Sequence, residues 1–149
     1  MMSNKFTESI DIAANPQALF DYTQDYHKRL DWDTFLVEAR LLNGAAVAGM
    51  GVRAWCVTKR GLGMETEYIS FNPPKVAAIK MTRGPRMFKD FAASWNFKDV
   101  DSGVTRVTFV YSFILTFPFS LVRFFVRWGL RRNVRQRLID LQRVFHDPH

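Results

Sequence analysis

The sequence predicts an α+β fold: a curved antiparallel seven-stranded sheet, two short helices after strand 1, and a long C-terminal helix against the sheet. Three observations predict it. Polar and apolar residues alternate over Phe6–Ile12, the period of a strand. From Phe35 to Leu115 the chain reads as strands separated by glycine and proline turns. Phe119–His146 then reads as one helical stretch. At 149 residues, one domain spanning 1–149 is expected, with enough chain for a real core.

The first strand places Phe6, Glu8, Ile10 and Ile12 on one side. Asn15-Pro16 then supplies an N-cap and a first-turn proline. A short helix carrying Leu19, Phe20 and Tyr22 ends near Asp25, and Tyr26–Asp33 forms a second short helix or turn. Strands follow at Phe35–Leu42, Val52–Lys59, Met64–Phe71, Val76–Arg83, Phe88–Lys98 and Thr105–Leu115. The last two form a hairpin around Asp101-Ser102-Gly103, with Gly103 suited to the left-handed turn position. Pairing Val100 with Val104 sets Phe97 opposite Val107, Trp95 opposite Phe109, Ala93 opposite Tyr111 and Phe91 opposite Phe113. That register collects the apolar side chains on one face. In the earlier hairpin, Arg60 opposite Gly63 would place Trp55 across from Tyr68 and Val57 across from Thr66.

The C-terminal stretch changes its apolar face part-way. At about 100° per residue, Leu121, Phe124, Phe125 and Trp128 share one side. Leu130, Val134, Leu138, Leu141 and Phe145 fall roughly opposite. A straight helix with one burial partner keeps one stripe, so either the helix bends at Gly129 or its halves bury against different things. Leu138 and its companions are expected on the sheet, with Leu121, Phe125 and Trp128 at a cavity mouth. Seven arginines lie here, at 123, 127, 131, 132, 135, 137 and 143, opposed only by Asp140 and Asp147.

Composition narrows the classes. The charged content of 23% is that of an ordinary globular protein. The 14 phenylalanines give more flat apolar surface than a small core needs, which suits a lined pocket as well as an aromatic core. A lone Cys56 forms no internal disulfide and fits a reducing, cytoplasmic setting. Met1–Asp11 has no apolar signal core. Phe109–Val126 is apolar, but Pro118 divides a strand-like half from a helix-like half, which argues against a membrane span.

The pI near 9.9 raises nucleic acid as a partner. The excess charge sits in one helical region with no accompanying recognition motif, so nucleic acid is not expected. Arg123, Arg127, Arg131, Arg132 and Arg135 read first as a solvated helix face. Second, they read as a contact for anionic lipid headgroups, with Phe124 and Phe125 dipping into the interface. His27, His146 and His149 are too scattered for a metal set, so no metal or cofactor is assigned. Gly61-Leu62-Gly63 lies in a hairpin turn rather than before a helix and is no phosphate loop. Glu65 and Glu67 share a strand face that reads as solvated, and Asp25, Asp31 and Asp33 read as capping and turn residues. No catalytic residue is assigned, since no set of titratable groups is seen to converge.

Several stretches carry a family resemblance. They are "FTESIDIAANPQALFDYTQDYHKRLDW", "YISFNPPKVAAIKMTRGP", "SWNFKDVDSGVTRVTFVYSF" and "RRNVRQRLIDLQRVF", in this order and at these spacings. From Phe6 to Phe145 the chain resembles the START-like, or SRPBCC, superfamily with its helix-grip fold, most nearly the polyketide cyclase/dehydrase branch. The resemblance implies a cavity between sheet and helix and an apolar ligand: lipid-like, isoprenoid, or aromatic and polyketide-like. Trp32, Trp55, Tyr68, Trp95, Tyr111, Phe125 and Trp128 are the candidate cavity residues, each equally explicable as core. Three functions follow as expectations. They are a carrier or binding protein, a cyclase, aromatase or dehydratase working by acid–base chemistry, and a membrane-peripheral lipid shuttle. Oligomeric state is not legible.

Overall fold

The computed structural model describes residues 4–146; Asp147 and His149, named above, lie outside them. Seven strands form one antiparallel, curled sheet: β1 (Asn4–Ile12), β2 (Leu36–Leu41), β3 (Arg53–Thr58), β4 (Gly63–Asn72), β5 (Val76–Arg83), β6 (Phe88–Asp101) and β7 (Val104–Leu115). Their order is β1-β7-β6-β5-β4-β3-β2. Every connection is a hairpin except that from β1 to β2, which crosses between the two edges through α1 (Pro16–Thr23) and α2 (Arg29–Trp32). A 3-10 turn, Phe119–Val122, leads into α3 (Arg123–His146).

Local chemistry accounts for the boundaries. The Asn15 side chain accepts a hydrogen bond from the Ala18 N–H at 2.8 Å, with Pro16 opening α1. Gly103 adopts φ +73° in the last hairpin, where a side chain would be strained. The pairs Phe97–Val107, Trp95–Phe109, Ala93–Tyr111 and Phe91–Phe113 form as expected. Val104 pairs with Asp101 rather than Val100, because a bulge between Asp99 and Asp101 absorbs one residue.

The β3–β4 register differs from expectation by three residues. Trp55 pairs with Glu65, and Val57 with Gly63. The turn is set earlier: the Gly61 N–H donates to the Thr58 carbonyl, and the Thr58 N–H to the Leu62 carbonyl. Gly61 takes φ +84°. An odd shift exchanges the faces of a strand, so Trp55 shares the outer face with Arg53, Glu65 and Glu67 while Ala54, Thr66 and Tyr68 are buried.

The concave face and α3 enclose the core. Phe6, Ile12, Phe91, Trp95, Phe97, Val107, Phe109 and Phe113 meet Leu19 and Phe20 of α1 and Val134, Leu138 and Leu141 of α3. The helix is continuous through Gly129, and only the apolar set of its second half is buried. The second half grips the core. The first half presents Phe124, Phe125 and Trp128 to solvent.

Candidate functional site

Charge is buried where α2, α3 and β7 meet. Arg29 and Arg137 are 5% and 6% exposed, and both donate through Nε to Oδ2 of Asp33, at 2.8 and 3.1 Å. Arg137 also donates to the Tyr111 hydroxyl at 2.9 Å. Arg29 and Asp33 stand one helical turn apart, and Arg137 lies on the same stripe of α3 as Val134, Leu138 and Leu141. Burial opposes the charge on Asp33, but the two guanidinium groups outweigh it and hold its carboxyl below the ordinary value of 3.8. Asp140 sits nearby on α3 and is committed elsewhere, accepting from the Thr34 hydroxyl at 2.5 Å and from Gln136 at 2.9 Å. The Trp32 Nε1 donor is buried without a hydrogen-bond partner among the described residues, beneath the Arg29 guanidinium at 5.2 Å from the ring.

A cleft of about 360 Å³ opens beside this centre. Its apolar walls are Phe20 of α1, Leu41 at the end of β2, Val47 and Ala48 of the β2–β3 loop, and Phe71 of β4. Its polar lining comes from Asp21, Gln24, Asp25, Tyr26 and His27. The Tyr68 hydroxyl donates to Gln24 Oε1 at 2.6 Å, which leaves the Tyr26 hydroxyl, 3.2 Å away, to donate to the Tyr68 oxygen. Burial raises the pKa of both phenols, so both are neutral hydrogen-bonding groups at physiological pH. The Tyr26 ring lies 5.9 Å from the Arg29 guanidinium and so joins the cleft to the buried charges.

The sequence candidates fall into three places. Trp32, Tyr68, Trp95 and Tyr111 are buried between sheet and helices, with Trp32 edge-on to Trp95 and Trp95 in contact with Phe109. Tyr68 reaches the cleft through its hydroxyl partners. Trp55 is on the outer face, its Nε1 donating to Glu38 at 3.0 Å, because of the shifted register. Phe125 and Trp128 are 77% and 63% exposed and lie outside the cleft lining. Leu121, expected with them at a cavity mouth, is exposed as well.

The arginines also divide. Arg131 and Arg135 both donate to Glu8 on β1. Burial works against the Glu8 charge, but these hydrogen bonds hold its carboxyl below the ordinary 4.5. Arg127 lies over the Phe6 ring and donates to the Lys5 carbonyl. Arg132 lies over the Trp128 ring and Arg123 over Phe124. Glu65 and Glu67 face Arg53 on the outer surface of the sheet.

The residues that sequence reasoning missed are Arg29, Arg137, Gln24 and Tyr26. One signal was available. Arg137 interrupts an apolar stripe, and an arginine in a buried arc requires a carboxylate. No comparable signal marked Gln24 or Tyr26, which are joined to β4 only by the fold. Among the described residues no three His, Cys, Asp or Glu side chains could hold a metal ion, and no helix is long and apolar enough to cross a membrane.

A curled sheet gripping one long helix defines the helix-grip class. Within it, residues 3–146 match the family described as polyketide cyclase / dehydrase and lipid transport, and the chain belongs to that family. No curated protein matches by sequence. Among solved structures, the chain is similar to the Zhui aromatase/cyclase from Streptomyces sp. R1128, with TM-score 0.81 and 12% identity over 95% of this chain and 92% of that one. It is similar to XoxI from Bacillus cereus, with TM-score 0.77 and 15% identity over 96% of each chain. Ara h 8.0201 shares the fold at TM-score 0.75 and 9% identity, over 99% of this chain and 100% of that one. At these identities the likeness is one of fold.

Proposed function

We propose that the protein binds an apolar small molecule, lipid-like, isoprenoid or aromatic, and acts as a carrier or binding protein. The observation that supports this best is the cleft whose apolar walls end on the Gln24–Tyr68–Tyr26 hydroxyl relay. Its size falls within the roughly 300–1,000 Å³ usual for small-molecule sites. Affinity would come from burying apolar ligand surface at roughly 25 cal/mol per Å². The Tyr26 oxygen, which donates its proton to Tyr68, keeps lone pairs to accept from a ligand hydroxyl. The family's description, which includes lipid transport, agrees with this class.

Organic extraction of the purified protein followed by mass spectrometry, with titration of an apolar fluorophore, tests it. Ala48→Trp fills the cleft and is expected to weaken the fluorophore about tenfold or more without unfolding the protein. Unchanged affinity in a folded Ala48→Trp variant removes the cleft as the site.

The neutral, linked phenols Tyr26 and Tyr68 favour a second reading, a cyclase, aromatase or dehydratase. In this reading the Tyr26 hydroxyl turns its proton from Tyr68 to a substrate carbonyl oxygen and stabilises the charge that develops there. Turnover of a poly-β-ketone substrate that falls sharply in Tyr26→Phe, while its binding persists, would establish this reading over the carrier.

A further inference from the structure

We propose that the 3-10 turn and the first half of α3 form a docking surface for the headgroup region of an anionic lipid bilayer. It rests on the surface alone and holds whether or not the interior takes a ligand. Phe117, Leu121, Phe124, Phe125 and Trp128 are each more than 60% exposed, within a short run of chain. The last four form one stripe at helical spacing, and none belongs to the core. An isolated exposed side chain is ordinary, but a contiguous aromatic stripe of this kind marks a contact surface.

Charge selects the occupant. Between Asp101 and Asp140 the sequence has no acidic residue; Arg131 and Arg135 are paired with Glu8 and Arg127 packs on Phe6, so Arg123 and Arg132 are the cations that accompany the stripe. Arg123 and Arg132 lie against rings of the stripe, over Phe124 and Trp128. Rings that enter the interface would thus carry guanidinium groups to headgroup depth, where arginine meets phosphate. A second copy of the chain is disfavoured, because face-to-face pairing would set these arginines against their own copies.

Flotation of the full chain with vesicles tests the proposal, comparing phosphatidylcholine alone with phosphatidylcholine plus phosphatidylglycerol, at low and high salt. Binding is expected only with the anionic lipid and should be weakened by salt. Phe125→Glu/Trp128→Glu should abolish it, and Arg132→Glu should weaken it severalfold. Both variants change exposed side chains, and their melting temperatures check the fold. Three outcomes overturn the proposal: no flotation with anionic vesicles at low salt, flotation unaltered in the double variant, or a wild-type dimer by light scattering that Phe125→Glu/Trp128→Glu makes monomeric.

Discussion

Asp33 is the residue on which the buried charges depend. It accepts from Arg29 and Arg137, and its side chain is fully buried. Asp33→Asn would leave two buried guanidinium groups without their carboxylate and should cost about 3–5 kcal/mol, read from urea unfolding. Acid acts on the same chemistry. Glu8 and Asp33 both have folded-state pKa values below their ordinary 4.5 and 3.8. Each therefore contributes stability that is fully present above its ordinary value and is lost as pH falls through the lower, folded one. The urea midpoint should hold steady from neutrality to about pH 5 and fall below it. Glu8→Gln should be less stable at neutral pH and show a shallower acid decline.

At the scale of elements, α3 is one helix with two jobs. Gly129 lies in its interior, and a Cβ built there meets nothing within 4 Å. Gly129→Ala should therefore stabilise the protein by up to about 1 kcal/mol, visible as a raised melting temperature. Gly103→Ala should do the reverse, because φ +73° strains any side chain. The halves should also respond differently to truncation. Leu138→Ala should cost about 2–5 kcal/mol, since Leu138 is 2% exposed within the core. Phe125→Ser should change stability by no more than about 0.5 kcal/mol. Such a contrast would show that the larger side chain contributes little to folding.

Over the whole molecule, the sheet and second half of α3 form the gripping core, the cleft opens beside α1, and the aromatic stripe precedes the grip. The element order, the last hairpin's pairings and the opposed faces of the C-terminal stretch were legible in the sequence. They follow from local periodicity and turn chemistry, which act over a few residues. The β3–β4 register was not, because its faces differ little in polarity and two turn positions compete for Gly61. The site was barely legible. Tyr26 and Tyr68 are 42 residues apart in sequence, and Arg29 and Arg137 are brought to Asp33 from different helices.

The sequence by itself determined the order of strands and helices and the two-faced terminal helix, because hydrophobic period and glycine and proline positions specify elements and their order; the helix-grip fold was implied by the family resemblance. Only the tertiary structure decided which face each strand residue occupies, which arginines are buried with a carboxylate, and which aromatics stay in solvent. Those depend on the curl of the sheet and the placement of α3 against it. Trp55 moved to the outer face on an odd register shift. Phe125 and Trp128 remained exposed because α3 buries its second half in the core, while the first half turns this aromatic side to solvent.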